Sequence, residues 1–402
     1  MLIDISITNF RSFKDTATFS MESGYKLRKW KDSNTFSNIH HPELLKSSFI
    51  FGPNANGKTN ILKAFQLIQF LLNNPAKSND DHLMTDTFGH NKQSTTFEIN
   101  FLTNNKKFRY YLNYNSDEVI SEKLEYDGSI VLERNRQSFD VIPEILTPVK
   151  ETFRKNQLLL YLAQSYNFEP AQTAYSWITK DVLYVNSTNN ISDKLLREFQ
   201  NSESLQNRLL NFIQAADFSI ADFEIVESKE GFKITIDHET METQIVDKPV
   251  KLLLKHATDS GHFTLPFSQE SEGTQIFISL ALQLIFNSAK GKLLLIDEFE
   301  SSLHQALTLS LMKIFNNTKQ KNQFVITTHD LDLMDNDLRV DQIWFVEKNR
   351  FGETDLYSLL DFDTPNLKRN DFGFKKRYIA GMFGATQIIN QNRLMENVFG
   401  GE

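Results

Sequence analysis

The chain has no cysteine among its 402 residues, which excludes disulfides, thiolate metal sites, iron–sulfur clusters and cysteine nucleophiles together. That absence suits a reducing compartment, so a cytoplasmic location is expected. Long apolar runs are missing as well. The most apolar stretch, Ile61–Leu72, is broken by Lys63, Gln66 and Gln69, far short of the roughly 20 apolar residues that cross a bilayer; no direct membrane role is expected. Glycine is scarce at 15 residues against a usual share of roughly 7%, so the places where it falls carry information. Excess positive charge is also lacking. A formal net charge of −8 argues against nonspecific wrapping of nucleic acid, although a local basic patch is compatible with an acidic total.

What is present is an ordinary globular composition, 40% hydrophobic and 23% charged. The length exceeds one typical domain, so two lobes or one domain with a large insertion are expected. The opening MLIDISITNF alternates apolar Leu2, Ile3, Ile5 and Ile7 around Asp4 and reads as a strand rather than a signal peptide. Residues 17–21 pair back on it. Ser47–Phe51 reads as a short apolar strand ending at Gly52, and Asn60–Leu72 carries helical periodicity. Between about 95 and 133 the period is two, with Asn-Asn, Asn-Ser-Asp and Asp-Gly turns, which predicts a β-meander. Helical periodicity returns from Pro143 to Ala216, and a hairpin of Phe223–Ser228 with Phe232–Asp237 follows. After Pro266 helix and strand alternate tightly: helix Thr274–Asn287, strand Lys292–Ile296, helix Leu303–Phe315, strand Phe324–Thr327. This is the βαβ rhythm of a sheet covered on both faces. The two α/β segments are expected to join across the middle region into one sheet.

Gly52-Pro53-Asn54-Ala55-Asn56-Gly57-Lys58-Thr59 matches G-x-x-x-x-G-K-[ST] between a predicted strand and a predicted helix, the context the phosphate-binding loop requires. Its glycines let successive N–H groups turn toward phosphate oxygens, and the following helix adds its positive end. ATP with Mg²⁺ is the expected ligand. Asn54, Ala55, Asn56, Gly57 and Asn60 would surround the phosphates, Lys58 would bridge the β- and γ-phosphates, and Thr59 would reach Mg²⁺. A Gly- and Asn-rich turn before an amphipathic helix explains the glycines but not the Lys-Thr pair.

KLLLIDE delivers Asp297 and Glu298 at the carboxyl end of an apolar strand, where open α/β sheets bind ligands. On its own such an ending is often a solvated strand end. With the upstream loop, Asp297 is expected to complete the Mg²⁺ shell and Glu298 to orient or deprotonate the attacking water. Ser271-Glu272-Gly273-Thr274 sits at a predicted helix N-terminus, an anion-favouring position, and His329 follows the buried run FVITT.

The order phosphate loop, S-x-G-T, strand-Asp-Glu, strand-Thr-His resembles the ABC-type ATPases, including their SMC- and RecF-like branch. The resemblance implies an α/β, ABC-type P-loop ATPase with an antiparallel β subdomain and an inserted, mainly helical lobe. It divides the chain into an N-terminal ATPase half over 1–135, an inserted lobe over 136–265 and a C-terminal half over 266–402. It also implies a homodimer in which Ser271 and Gly273 of one copy close over the γ-phosphate held by the other, while His329 contacts that phosphate within its own copy. Ser301-Ser302-Leu303-His304 falls where the family has its D-loop. The usual signature is L-S-G-G-Q, so Glu272 and Thr274 are departures. Asn9-Phe10-Arg11-Ser12 is similar to the N-F-R-S element of the same branch, whose arginine reaches the phosphates; an exposed turn arginine is the plainer alternative. The family's Q-loop glutamine has no clear position, Gln93 and Gln164 being candidates.

Over roughly half the chain, at both ends, the sequence resembles ATP-binding proteins of the RloA and AbiLi type, carried by MLIDISITNFRSFKD, LLKSSFIFGPNANGKTNILKA, SEGT, LLLIDEFESSLH, ITTHDLDLMD, WFVEKNRFGETDLYSL and KKRYIAGMFGA. This implies an antiphage or abortive-infection ATPase that gates a separate effector protein, such as a nuclease. The alternative is a RecF/SMC-like ATPase that binds DNA in repair or maintenance. Lys106-Lys107, Arg134 with Arg136, and Lys375-Lys376-Arg377 would then be phosphate contacts, though short basic runs are commonly solvated faces. A transporter motor subunit fits poorly. The length accommodates a lobed ATPase but neither the heptad-patterned arms of SMC proteins nor a fused effector.

Overall fold

A computed structural model describes residues 1–25, 27–36, 42–185, 191–216, 219–227, 249–298, 300, 302–362, 373–386 and 390–399. Two large sheets dominate. The first is antiparallel, with strands in the order Ser138–Val141, Ser129–Asn135, Val119–Tyr126, Lys106–Tyr114, Thr95–Thr103, Leu2–Thr8, Ala17–Ser20. The expected meander is therefore extended by the opening β-pair, whose register sets Ile5 opposite Phe19 and opposite Ile99. The second sheet has the order Val182–Val185, Leu293–Ile296, Gln323–Thr328, Ser47–Phe51, Ile343–Lys348, Thr354–Ser358. Its first five strands are parallel, and Thr354–Ser358 returns antiparallel. The two α/β segments do join into one sheet: Phe324–Thr328 pairs directly with Ser47–Phe51.

The period-two geometry of strands explains how one sheet serves two cores. Ile50, Leu293, Leu295, Val325, Trp344 and Val346 face the antiparallel sheet and the helix Lys58–Asn73. Their neighbours Phe49, Phe51, Leu294, Ile296, Phe324, Ile326, Ile343 and Phe345 face the helices Glu272–Phe286 and Gln305–Phe315. Both faces being covered, these strands read as continuous apolar runs rather than alternating ones.

Within 136–265, helices Leu159–Ser165 and Glu169–Ser176 join the first core, whereas Asp193–Gln200, Glu203–Gln214 and the three-stranded sheet Ile220–Glu227, Val250–Thr258, Gly261–Pro266 join the second. The helical periodicity expected through Ala216 is interrupted by Val182–Val185, an edge strand of the parallel sheet. A four-residue apolar run beside helical Trp177 and Ile178 gives no periodicity that separates strand from helix. Ile220–Glu227 pairs with Val250–Thr258; the expected hairpin partner Phe232–Asp237, with Ser228, lies outside the described residues. Among the described residues no helix is long and apolar enough to cross a membrane.

Candidate nucleotide-binding site

Parallel strands all end on the same side, and this places the motifs together. Ser47–Phe51 runs into the Gly52 loop, Leu293–Ile296 into Asp297 and Glu298, and Gln323–Thr328 into His329. The helix after the loop begins at Lys58 with Gly57 as its cap in a left-handed conformation (φ 102°), with no side-chain cap and no acidic residue in its first turn. Its first N–H groups and positive end are thus left for an anion. A β-carbon on Gly57 would lie 2.7 Å from Ser12 Oγ and 2.8 Å from Thr354 Oγ1, so glycine is required by space as well as by φ. Ser12 and Thr354 brace the loop: Asn60 Nδ2 donates to Ser12 Oγ (2.7 Å), and Thr354 Oγ1 donates to the Asn56 carbonyl (2.9 Å).

Lys58 is buried, its ammonium donating to the carbonyls of Gly52 (2.8 Å) and Pro53 (3.3 Å). Burial pulls its pKa below the usual lysine value, opposed by the carboxylates of Glu298, Glu300 and Asp297. Thr59 Oγ1 donates to Asp297 Oδ1 at 3.0 Å, and Thr327 Oγ1 donates to the same oxygen. Tyr184 OH donates to Asp297 Oδ2 at 3.2 Å. A hydroxyl and a carboxylate meeting at the loop's end are hard oxygen donors, the chemistry that suits Mg²⁺ with phosphate and water completing its shell. Glu298 takes up a positive φ of 45°, its N–H donating to Thr327 O and Thr327 Oγ1, both at 3.1 Å. Such strain in a non-glycine residue gathers at functional sites.

Around these groups opens a cavity of about 590 Å³, lined in part by Arg11, Ala55, Gly57, Lys58, Thr59 and Glu298. That volume falls within the range of small-molecule sites. Asn56 and Asn60 also line it; Asn54 is exposed outside it. Arg11 stands at the rim in a left-handed conformation, its guanidinium 2.9 Å from Asp86. The loop bearing Asp86 is held by a reciprocal amide pair, Asn9 Nδ2 to Asn91 Oδ1 (3.0 Å) and Asn91 Nδ2 to Asn9 Oδ1 (2.8 Å). The outer wall adds Phe88, His90, Lys348 and Phe351.

Ser271 and Gly273 do not line this cavity. They form a second groove of about 610 Å³ with Thr274, Ser302, Leu303 and His304. Ser271 caps the helix Glu272–Phe286, accepting from Thr274 N at 3.2 Å. A β-carbon on Gly273 would sit 2.2 Å from the Ser302 carbonyl oxygen, so the signature segment and the D-loop segment touch. Ser301 lies outside the described residues. His329, its side chain 49% exposed, lines neither cavity and stands beside the buried Glu300.

A family model described as "AAA domain, putative AbiEii toxin, Type IV TA system" matches residues 47–335, more than two thirds of the chain. The chain belongs to this AAA-domain family. The match runs from the strand before the phosphate loop to past His329 and so takes in the loop, the signature segment and the Asp297-Glu298 strand end. Among solved structures, an SMC head bound to the C-terminal winged-helix domain of ScpA is 11% identical at a TM-score of 0.48, covering 89% of this chain and 97% of that one. The SMC head domain from Thermotoga maritima is 14% identical at 0.42, covering 89% and 98%. The SMC head with an extended coiled coil, bound to the C-terminal domain of ScpA and derived from Pyrococcus furiosus, is 12% identical at 0.45, covering 89% and 96%. No curated protein sequence matches significantly.

The structure also places the residues that the sequence left open. Neither Gln93 nor Gln164 lines the phosphate cavity; Gln93 is exposed beside Asn91, and Gln164 bonds to Ser165 on the helix Leu159–Ser165. Of the proposed phosphate-contacting bases, Arg134 is fully buried, Lys106 faces Asp127, Arg136 faces Glu118 and Lys375 faces Asp332. Tyr184, Thr327, Glu300 and Asp86 were not singled out by sequence. Thr327 had the clearest signal, sitting in the T-T-H strand end, whereas Tyr184 lies on the strand that periodicity conceals.

Proposed function

We propose that the chain is a Mg²⁺-dependent ATPase that closes as a homodimer on ATP and gates a separate effector in antiphage or abortive-infection defence. The observation that carries it is the meeting of Thr59 and Asp297, 3.0 Å apart, beneath the cavity that Lys58 and the loop helix open onto. Lys58 and the N–H groups of Gly57, Lys58 and Thr59 would hold the β- and γ-phosphates, and Thr59 with Asp297 would hold Mg²⁺. The ion, when bound, offsets the charge that develops on the transferred phosphoryl group. Glu298, at the end of the strand two places along the sheet, lines the cavity and would orient the attacking water.

Dimerisation is supported by the separation of the two cavities. The phosphate cavity lacks the signature helix end within its own copy, and the signature groove lacks a phosphate loop. Two copies facing each other across a two-fold axis, each signature groove against the other's phosphate cavity, would complete both sites at once. The defence role is supported by the family description, which names a toxin of a toxin–antitoxin system. The DNA-clamp reading loses Arg134, which is buried, while Lys106, Arg136 and Lys375 are each already paired with a carboxylate.

The test is ATP turnover with and without Mg²⁺, together with molar mass by light scattering for wild type, Lys58→Ala and Glu298→Gln with and without ATP. Turnover that needs Mg²⁺ and Lys58, and a doubled mass for Glu298→Gln with ATP only, are the expected results. A monomer under every condition would refute the closure reading.

A further inference from the structure

Glu300 is a buried carboxylate without a role in the reading above. Its Oε1 accepts from Thr328 Oγ1 at 2.6 Å and from the His329 backbone N–H at 2.8 Å, and lies 3.4 Å from His329 Nδ1. Three contacts from two consecutive residues thus converge on one oxygen. Its other oxygen, Oε2, is buried and accepts no hydrogen bond from the described groups, a costly condition that surface packing does not require. Glu300 is also close enough to Lys58 for its charge to act on the ammonium. It therefore belongs to the electrostatic surroundings of the phosphate loop, although it lines neither cavity.

We propose that Glu300 is the positioning residue for His329. A carboxylate at Nδ1 fixes which edge of the imidazole faces inward and leaves Nε2 at the free corner, and the ring's partner at one nitrogen decides what the other can do. The backbone bond to His329 N–H and the bond to Thr328 Oγ1 fix the strand end that carries the ring. With Nδ1 on the Glu300 side of the ring, Nε2 is the nitrogen left to meet an oxygen of a bound phosphate. Glu300 further lies two residues before Ser302, whose carbonyl abuts Gly273. The histidine is thereby tied to the segment on which the signature groove is built.

This inference rests on the reading of His329 as a phosphate contact, and the experiment separates the two. Steady-state kcat and KM for ATP are measured for wild type, His329→Ala, Glu300→Gln and the double variant, with folding checked by thermal denaturation. Glu300→Gln keeps the side chain's shape and removes its charge; it is expected to lower kcat about tenfold with KM within about twofold. The double variant is expected to be no slower than His329→Ala alone, because both changes remove the same interaction. If His329→Ala turns over at the wild-type rate, the reading of His329 fails and the inference with it. If His329→Ala is slow while Glu300→Gln is unchanged, or if the two losses multiply, only the positioning role is overturned. Should Glu300→Gln fail to fold, Glu300→Asp serves. It keeps the charge but shortens the reach to His329, and the same loss of kcat, absent on the His329→Ala background, is expected of it; wild-type kcat would overturn the proposal.

Discussion

Thr59 and Asp297, 238 positions apart in the sequence, are joined by a hydrogen bond of 3.0 Å from Thr59 Oγ1 to Asp297 Oδ1. One ends the phosphate loop and the other ends a strand two places along the parallel sheet. If these oxygens hold Mg²⁺, Asp297→Asn should raise the Mg²⁺ concentration for half-maximal ATPase activity at least tenfold, because a neutral amide is a poor replacement for a hard anionic ligand. Binding of ATP without metal should change little. A Mg²⁺ titration of the variant that overlays the wild type would remove Asp297 from the metal's shell.

Glu298→Gln should retain ATP affinity and lose about 100-fold in kcat, the scale of general-base contributions. The strained φ of 45° is backbone geometry that glutamine can adopt as well as glutamate, so the comparison isolates the charge. Single-turnover hydrolysis at the wild-type rate would contradict the assignment.

The turn at Gly52–Thr59 into its helix and the strand end at Asp297-Glu298 were legible because each motif is confined to eight residues, flanked by apolar runs that declare a strand. The joining of the two α/β segments was also legible, since continuous apolar strands require a sheet covered on both faces. Tyr184 was not. It reaches Asp297 from a four-residue edge strand whose apolar run is indistinguishable from the helical segment before it. Arg134 misled for the opposite reason. Its neighbour Arg136 is exposed, but the side-chain alternation of Ser129–Asn135 turns Arg134 inward to Glu122. Glu300 was hidden because its partners, Thr328 and His329, become neighbours only when two strand ends align.

That buried pair gives a stability prediction. Glu122 accepts from the backbone N–H groups of Leu159 (2.6 Å) and Leu160 (2.8 Å) and from Tyr110 OH (3.0 Å), pinning the helix Leu159–Ser165 to the antiparallel sheet. Burial pushes its pKa up, and Arg134 and the N–H donors oppose this. Glu122→Ala orphans those donors and leaves the Arg134 guanidinium buried without its counter-charge. A loss of about 3 kcal/mol in urea unfolding is expected; a loss below about 1 kcal/mol would show that the pair contributes little.

Lys58 gives a pH dependence. Its folded pKa lies below the ordinary lysine value, so between the two the free protein binds fewer protons at this site than an unperturbed lysine would. The cationic contact to phosphate should therefore be lost on raising the pH at a lower value than an ordinary lysine would give. Because kcat/KM reports ionisations of the free enzyme, its alkaline limb should carry this step, and Lys58→Arg should move the limb upward in pH while lowering the plateau. An unchanged limb in the arginine variant would assign it to another group.

Gly273 is the sharpest probe of closure between copies. A β-carbon there meets the Ser302 carbonyl oxygen at 2.2 Å, a contact that forces the signature and D-loop segments apart. Neither residue lines the phosphate cavity of its own copy. Gly273→Ala should therefore leave nucleotide affinity of the monomer within about twofold of wild type, a change below 0.5 kcal/mol. ATP-driven dimerisation should be lost, read by light scattering on the Glu298→Gln background. The two effects separate a contact made across the interface from one made within the subunit. Dimerisation equal to that of the parent would show that the signature segment does not close over the partner's phosphates, and reduced affinity in the monomer would place it at the subunit's own site.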